Sequence, residues 1–222
     1  MKVIALLPMK GHSERISRKN LKDLCGKPLF RWVLDELLSL PDVDTVVINT
    51  DARNRFAKHG LVDSERVMVR DRKPELCGDF VSMNLVLADD VENVAADVYM
   101  MTHATNPLLT AATTGRALEA FLQAQESGTA DSLFTATRFQ TRFYRADGSA
   151  VNHDPDNLIR TQDLEPWFEE NSNLYIFTAD SFAQTGARIG RRPLLFEMPR
   201  LESIDIDDED DWRLAELVAA AR

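Results

Sequence analysis

Short apolar runs alternate with amphipathic stretches along the first two thirds of the chain. Four runs rich in β-branched and aliphatic residues predict buried strands, at 2–8, 45–50, 67–69 and 98–101. Each run is followed by a predicted helix, at 29–38, 51–60, 80–91 and 114–128. Strands of a parallel sheet covered on both faces read as continuous apolar runs, so this alternation predicts an α/β fold with a mostly parallel sheet.

The regular alternation breaks in the segment 138–166. This segment contains aromatic residues, two prolines and an Asp147-Gly148 turn signal, which together predict a hairpin-rich excursion. The remaining predicted elements are strands at 133–137, 173–177 and 194–198 and a terminal helix that contains Trp212, Ala215 and Val218. Because no Pro/Gly linker or internal repeat divides the chain, we expect a single domain over 1–222 with the excursion inserted in it.

The charge balance excludes two classes of partner. The 26 Lys and Arg residues against 36 Asp and Glu residues give a formal net charge of −10, which argues against binding to nucleic acid or to an anionic membrane. No apolar run approaches the roughly 20 residues of a membrane span, and we expect a cytoplasmic protein. Cys25 and Cys77 lie far apart in the sequence, so we expect free thiols rather than a disulfide or a zinc site.

The loop after the first predicted strand is basic, whereas the chain as a whole carries a net negative charge. Six cations fall within eighteen residues: Lys10, Arg15, Arg18, Lys19, Lys22 and Lys27. Gly11, Ser13 and Asn20 add backbone freedom, a hydroxyl and an amide. Ligands of open parallel sheets bind beyond the carboxyl ends of the strands, so this loop is a candidate triphosphate site. A solvated basic loop explains the charge alone equally well, and neither a Walker loop nor a dinucleotide fingerprint is present.

An acidic segment near the other end of the chain suggests a metal site. In the sequence SIDID at 203–207, strict alternation places Asp205 and Asp207 on one face of an extended segment. Two neighbouring carboxylates repel unless a cation lies between them, and Mg²⁺ is typically held by one or two carboxylates together with substrate phosphates. For the acids at 208–211 we expect capping of the terminal helix instead.

Taken together, the motifs resemble those of the bacterial acylneuraminate cytidylyltransferases, also called CMP-sialic acid synthetases, with the CMP-Kdo synthetases as more distant relatives. The segments that carry the resemblance, in the family's order, are LLPMKGHS at 6–13, RKNL at 18–21, GKPL at 26–29, NTD at 49–51, RKPEL at 72–76 with Asp79, TNPL at 105–108, NSNLYI at 171–176 and SIDID at 203–207.

The resemblance implies a Rossmann-like nucleotidyltransferase fold and a defined reaction. The family transfers CMP from CTP to the anomeric hydroxyl of a 2-keto sugar acid, with Mg²⁺ and release of pyrophosphate. Its members are usually homodimers in which a hairpin excursion reaches the neighbour's active site, and 138–166 lies where that excursion belongs. Tyr144, Trp167 and Phe168 could line such a neighbouring pocket or fill a small core, and packing is the more common role of aromatic residues.

Position by position, the resemblance assigns roles to residues on both sides of the site. Nucleotide and phosphate contacts fall on Lys10, Ser13, Lys19, Asn20 and Arg72, to which the loop argument adds Gly11 and Arg15, and Ser82 lies near the cytidine-contacting segment. Asp205 and Asp207 match the metal-binding pair, and His103, Asn173 and Tyr175 fall in segments that face the sugar acid. Lys19 and the two aspartates are the candidate catalytic residues.

Two departures from the family pattern affect the expected substrate. The usual ARGGSK of the first loop is MKGHSE here, at 9–14, and the usual QPTSPLR is HATNPLL at 103–109. The second change removes a Gln and an Arg from the sugar side. The acceptor we expect is therefore sialic acid or a related nonulosonic acid, with the related acids favoured.

In the mechanism that we infer from the sequence, cationic residues bind the phosphates and the aspartate pair binds the metal ion. Lys10, Lys19 and Arg72 neutralise the β and γ phosphates, and the aspartate pair holds Mg²⁺ against the α-phosphate and the sugar carboxylate. A metal-bound water, Asp207 or His103 could accept the proton. Two other functions stay open at this point: a metal-dependent glycosyltransferase, and a relative that binds CTP without turnover.

Overall fold

The central feature of the fold is one mixed sheet. In residues 1–221, which the computed structural model describes, seven strands form it in the order β5-β4-β1-β6-β8-β7-β9. The strands are β1 (Val3–Leu6), β4 (Thr45–Thr50), β5 (Val67–Asp71), β6 (Val98–Thr102), β7 (Ser132–Phe139), β8 (Trp167–Phe177) and β9 (Pro193–Glu197), and β2 (Asp23–Leu24) and β3 (Lys27–Pro28) form a separate hairpin. Within this sheet β8 is the antiparallel strand, so the predicted mostly parallel sheet is confirmed.

Helices cover both faces of the sheet, as predicted. Those of the described chain are α1 (Leu29–Ser39), α2 (Arg53–Ala57), α3 (Met83–Asn93), α4 (Ala111–Glu126), α5 (Ala179–Thr185) and α6 (Glu209–Ala220). Successive residues of β1 point to opposite faces. Val3 and Ala5 pack with α1 and α4, whereas Ile4 and Leu6 pack with α3 and α5. The continuous apolar run of β1 therefore reflects burial on both of its faces.

A third apolar cluster joins the end of the chain to its beginning. Ile206 is fully buried and packs with Trp212 of α6 against Ile16 and Leu24 of the first loop. The segment 203–207 is thereby held beside the basic loop. The helix cap was also predicted correctly: the Asp208 carboxylate accepts hydrogen bonds from the backbone N–H groups of the residues two and three positions later.

Several predicted elements begin or end at other residues than predicted, and one hairpin was not predicted. The third predicted helix begins at Met83 rather than at 80, because the Ser82 hydroxyl caps it, and this leaves Phe80 fully exposed. The strand β8 starts at Trp167 and is therefore longer than 173–177. The β2–β3 hairpin was not predicted; its turn residues, Cys25 and Gly26, have positive φ angles of 50° and 93°.

The predicted excursion lies between the paired ends of β7 and β8. Its hairpin is confirmed by an antiparallel bridge between Tyr144 and Ala150, around a turn in which Gly148 has a φ of 83°. The Trp167 ring stacks on Phe143 with ring centroids 5.4 Å apart, which fits the packing role expected for it. Tyr144 and Phe168 remain exposed.

Two further expectations concern the chain as a whole. Across residues 1–221, none of the helices combines the length and the apolar character that crossing a membrane requires. Cys25 and Cys77 are both free thiols, as predicted.

Candidate active site

A cavity of about 320 Å³ lies at the carboxyl ends of β1 and β6. Its walls come mostly from the basic loop and are completed by the residues that follow β6. They are Pro8, Lys10, His12, Ser13, Glu14, Arg15, Lys19, Asn20, Asp79, Met83, His103 and Thr105. Six residues that the sequence assigned separately to phosphate or sugar acid therefore share one space: Lys10, Ser13, Arg15, Lys19, Asn20 and His103. This is the position at which open α/β sheets bind their ligands.

The basic loop and the aspartate pair meet at Lys19. Its side chain is buried, and Nζ donates a hydrogen bond to the carbonyl oxygen of Ile206. The same Nζ lies 3.8 Å from Asp207 Oδ1, and Arg15 Nη2 lies 2.8 Å from that oxygen. Burial lowers the pKa of Lys19, and the neighbouring carboxylates of Asp205 and Asp207 partly oppose this shift. Two segments 187 residues apart thus form one charged centre.

Asp205 offers an unused oxygen atom at this centre. Its Oδ1 is buried and has no hydrogen-bond partner among the described residues. Burial, followed by the charge of Asp207, raises the pKa of Asp205, although a hydrogen bond from Thr105 and the charge of Lys19 oppose the increase. An orphaned carboxylate oxygen beside a second carboxylate suits a divalent cation. Residues 1–221 contain no cluster of three or more His, Cys, Asp or Glu side chains placed to hold a metal ion, so a cation here would draw its other ligands from substrate and water.

Gly11 lets the basic loop pack closely against the residues after β4. A Cβ atom at Gly11 would lie 2.2 Å from the Cβ of Ala52, and the Gly11 N–H donates to Asp51 Oδ1 at 2.6 Å. Gly11 therefore has a packing role and its N–H is engaged with Asp51, while the expected approach to an anion stays a prediction. The Asn20 amide, which donates to the carbonyl oxygen of Lys10 at 3.0 Å, also stabilises the loop.

Replacing Gly11 with Ala tests this packing role. We expect the free energy of unfolding to fall by about 1–3 kcal/mol, because a side chain inserted into a filled contact forces the backbone to move. CTP affinity should fall with it as the loop shifts. Urea unfolding of Gly115→Ala is the matched control: a Cβ there has room and lies in the helix α4, where Ala is favoured over Gly. Equal stability of Gly11→Ala and wild type would contradict the packing role.

Arg72 lies beneath the loop rather than in the cavity wall. Its side chain is only 6% exposed. Nε donates to Asn49 Oδ1 at 2.9 Å and Nη2 donates to the Asn49 carbonyl oxygen at 2.8 Å. The Asn49 amide in turn donates to Asp90, whose pKa burial raises to about 6. The Arg72 guanidinium thus supports the ends of β1 and β4 from inside, and the expected phosphate contact stays a prediction.

Two residues expected to face the sugar acid are also structural. Asn173 is fully buried, and its amide donates to the carbonyl oxygen of Glu202 at 2.8 Å, which ties β8 to the segment that leads to the aspartate pair. The Tyr175 ring is buried in the core, and its hydroxyl donates to Glu170. The Asn173 amide nitrogen and the Tyr175 hydroxyl are thus engaged with protein partners, whereas Asn173 Oδ1 has no partner among the described residues. The two expected sugar contacts stay predictions.

A second cavity adjoins the first. It has a volume of about 330 Å³ and shares Met83 with the first cavity. Ser82 lines this second cavity, and its hydroxyl caps α3. Arg188, a residue that the sequence motifs did not include, also lines it. The three arginines at 188–192 are a sequence signal that could have pointed to Arg188. They follow no predicted strand, however, and lie outside the segments that resemble the cytidylyltransferase motifs.

His103 lines the first cavity, and the charges of both Lys19 and Arg188 act on it. Burial, followed by the charges of Arg188 and Lys19, lowers its pKa to about 4. The imidazole is therefore neutral at pH 7, where it can donate or accept a hydrogen bond but is a weak base.

This depressed pKa predicts how stability depends on pH. The unfolded chain takes up a proton at His103 near pH 6.5 and the folded protein only near pH 4, so stability is complete above pH 6.5 and is lost as pH falls to 4. His103→Gln should reduce the loss over this window by up to about 3 kcal/mol. Urea unfolding of both proteins at pH 7 and pH 4.5 measures the difference. Parallel pH dependence of the two proteins would show that His103 does not titrate abnormally.

The chain is similar in sequence to known cytidylyltransferases. The family model described as "Cytidylyltransferase" matches residues 4–197. The pseudaminic acid cytidylyltransferase of Campylobacter jejuni subsp. jejuni serotype O:2 is 28% identical, over 98% of this chain and 96% of that protein. The N-acylneuraminate cytidylyltransferase of Oncorhynchus mykiss is 30% identical over 96% of this chain, which spans 49% of that relative.

Solved structures resemble the fold over its whole length. A structure of CMP:2-keto-3-deoxy-manno-octonic acid synthetase complexed with CTP has a TM-score of 0.67 at 15% identity, and the match covers 100% of this chain and 99% of that one. A 4-diphosphocytidyl-2C-methyl-D-erythritol synthase has a TM-score of 0.69 at 18% identity, over 98% of this chain and 99% of its own. At these identities the likeness shows the shared fold alone.

Proposed function

Because the chain belongs to the cytidylyltransferase family, we propose that it transfers CMP from CTP to the anomeric hydroxyl of a nonulosonic acid, a nine-carbon 2-keto sugar acid. A bond forms between the hydroxyl oxygen and the α-phosphorus, the bond from the α-phosphorus to the bridging oxygen of the β-phosphate breaks, and pyrophosphate leaves. The hydroxyl proton passes to a base. The observation that carries the proposal is the meeting of the basic loop with Asp207 at the edge of the sheet. The names of the pseudaminic acid and N-acylneuraminate relatives support the acceptor class.

The basic loop supplies the charge that a leaving pyrophosphate needs. Lys19 and Arg15 stand at the cavity wall beside Asp207, and Lys10 is held at the wall by Asp79, 3.1 Å away. The ion pairs of Lys10 and Arg15 are partly exposed, and such pairs contribute little stability. Both cations are therefore free to exchange a carboxylate for a phosphate. Ser13 offers a further hydroxyl on the same wall.

The aspartate pair would hold the divalent cation. Asp205 contributes its unpartnered Oδ1, and Asp207 becomes available when Arg15 turns to phosphate. Mg²⁺, when bound, would neutralise charge on the triphosphate. Lys19 donates to the Ile206 carbonyl and so fixes the backbone between the two carboxylates.

The acceptor would lie on the His103 side of the cavity. A neutral imidazole there can hydrogen-bond to a sugar hydroxyl and orient it without adding charge. His103 is a poor general base because of its low pKa.

We also propose that the protein forms a homodimer in the cytoplasm. The excursion and the start of β8 expose the apolar residues Tyr144, Leu158, Ile159, Trp167 and Phe168. Exposed apolar surface of this kind marks interaction sites. Light scattering at micromolar concentration measures the oligomeric state, and a monomer would remove the dimer from the proposal.

One assay separates the proposed function from its two rivals. Pyrophosphate release is measured with CTP, Mg²⁺ and a panel of 2-keto sugar acids, with ATP, GTP and UTP as nucleotide controls. We expect release with CTP that depends on a sugar acid. A glycosyltransferase would release no pyrophosphate and would consume a sugar nucleotide. A degenerate relative would bind CTP without turnover.

A further inference from the structure

We propose that Arg188 binds the carboxylate of the acceptor and thereby selects for acidic sugars, an inference that rests on the proposed function. Arg188 lines the cavity that adjoins the phosphate-side cavity, and Met83 lines both. Lys19 and Arg188 therefore face two neighbouring cavities. Lys19 belongs to the triphosphate side, and Arg188 belongs to the side where the acceptor would enter.

The Arg188 guanidinium is held in one orientation. It stacks on the Tyr175 ring with Cζ 4.1 Å from the ring centroid, and Nη2 donates to the Tyr175 hydroxyl at 3.2 Å. Its side chain is only 20% exposed. Stacking on an aromatic face orients the plane of a guanidinium and leaves its edge available for hydrogen bonding.

The loop that carries Arg188 is anchored by backbone hydrogen bonds. The Gly190 N–H donates to Ser132 Oγ at 2.8 Å, and the Asp131 carboxylate accepts from the N–H groups of Arg191 and Arg192. A Cβ at Gly190 would lie 2.2 Å from Asp131 Oδ1, so the close approach needs glycine. Arg188 therefore projects from a fixed turn.

The charge of Arg188 is incompletely neutralised. Its nearest carboxylate among residues 1–221 is that of Glu170, at 3.8 Å, and the same Glu170 oxygen already accepts from the Tyr175 hydroxyl. An irregularity in the pairing of β7 with β8 brings Glu170 to this position. Phe134 pairs with Tyr175, but Ala136, only two residues later, pairs with Glu170, five residues earlier in β8. Four residues of β8 therefore lie opposite the single residue of β7 between these two pairs. The hydrogen bond to Tyr175 uses one N–H of Nη2. Four N–H groups remain, so one edge of the guanidinium, Nη2 with either Nε or Nη1, can still donate in parallel to a ligand carboxylate.

An arginine fork recognises a carboxylate through two parallel hydrogen bonds. The sugar acids of the proposed reaction carry a carboxylate on the same carbon as the attacking hydroxyl. Binding that group would orient the hydroxyl toward the triphosphate side. The other cations of the site, Lys10, Arg15 and Lys19, belong to the basic loop and serve the nucleotide.

The test compares an acid acceptor with its uncharged carboxamide in Arg188→Gln, Arg188→Lys and wild type. Pyrophosphate release gives the KM for CTP and for the acid, and competition gives the inhibition constant of the carboxamide. We expect Arg188→Gln to raise the KM for the acid at least about tenfold while the KM for CTP stays within about twofold. The preference of wild type for the acid over the carboxamide should disappear in this variant, and Arg188→Lys should keep part of it.

The control variant is Arg191→Gln, which changes an exposed residue of the same loop and should leave all three constants unchanged. Retention of the preference for the acid in Arg188→Gln would overturn the proposal, and so would an equal rise of both KM values. Arg188→Lys tests the charge if Arg188→Gln does not fold, and loss of activity toward acid and carboxamide alike in that variant would count against carboxylate recognition. A wild type that releases no pyrophosphate with any sugar acid would remove the proposed function itself.

Discussion

Asp207→Asn should lower kcat about a hundredfold or more and leave the protein folded. The substitution keeps the shape of the side chain and removes its negative charge, and loss of one group that stabilises a reacting charge typically costs a factor of 10² to 10³. Stability should change by less than about 1 kcal/mol, because the Asp207 carboxylate is about half exposed and its pair with Arg15 lies at the surface. Steady-state pyrophosphate release and urea unfolding measure the two effects.

Asp210→Asn is the matched control for this variant. Asp210 follows Asp207 by three residues and lies in the first turn of α6. Its side chain is 90% exposed and pairs with Arg213 at 3.3 Å, and it does not line the cavity. We expect wild-type turnover from it. Asp207→Asn with the same kcat as Asp210→Asn would remove the aspartate pair from the mechanism.

Lys19→Met should lower kcat/KM for CTP about a hundredfold and change the KM for the sugar acid far less. Methionine has a similar length and suits the buried position, but it provides no charge for the β and γ phosphates. The Ile206 carbonyl oxygen also loses its donor, and an unsatisfied buried group costs about 1–3 kcal/mol. Kinetics must therefore be measured well below the unfolding transition of the variant.

Lys22→Met provides the comparison on the same loop. Lys22 is partly exposed, pairs with Glu209 at 3.2 Å and lies over the Trp212 ring. Its replacement should leave kcat/KM for CTP within about twofold of wild type. If Lys19→Met impaired the use of both substrates equally, the assignment of Lys19 to the leaving group would be wrong.

Strands and helices could be predicted well where burial requires a regular pattern of apolar residues. A run such as that of β1 is apolar at every position because both of its faces are covered, and this can be seen without coordinates. The charge reversal in the loop at 10–27 and the alternating aspartates were equally visible. Their meeting followed from a general property of parallel sheets, whose loops gather at one edge.

Sequence patterns omit how individual side chains pack. Motifs place Arg72, Asn173 and Tyr175 near the ligand, but each of them donates a hydrogen bond to a protein partner. The contact between Tyr175 and Glu170 depends on an irregularity in strand register, for which a single sequence has no clear signal. Arg188 was missed for a related reason, because its position at the cavity is set by a turn anchored on Asp131.

We propose that the basic loop and the aspartate pair bind one nucleotide together with a divalent cation. Isothermal titration calorimetry of CTP binding, with and without Mg²⁺, tests this joint site in wild type and in the double variant Asp205→Asn/Asp207→Asn. We expect Mg²⁺ to strengthen CTP binding by wild type at least about tenfold and to have little effect on the double variant. An equal effect of Mg²⁺ on both proteins would show that the two aspartates do not hold the cation.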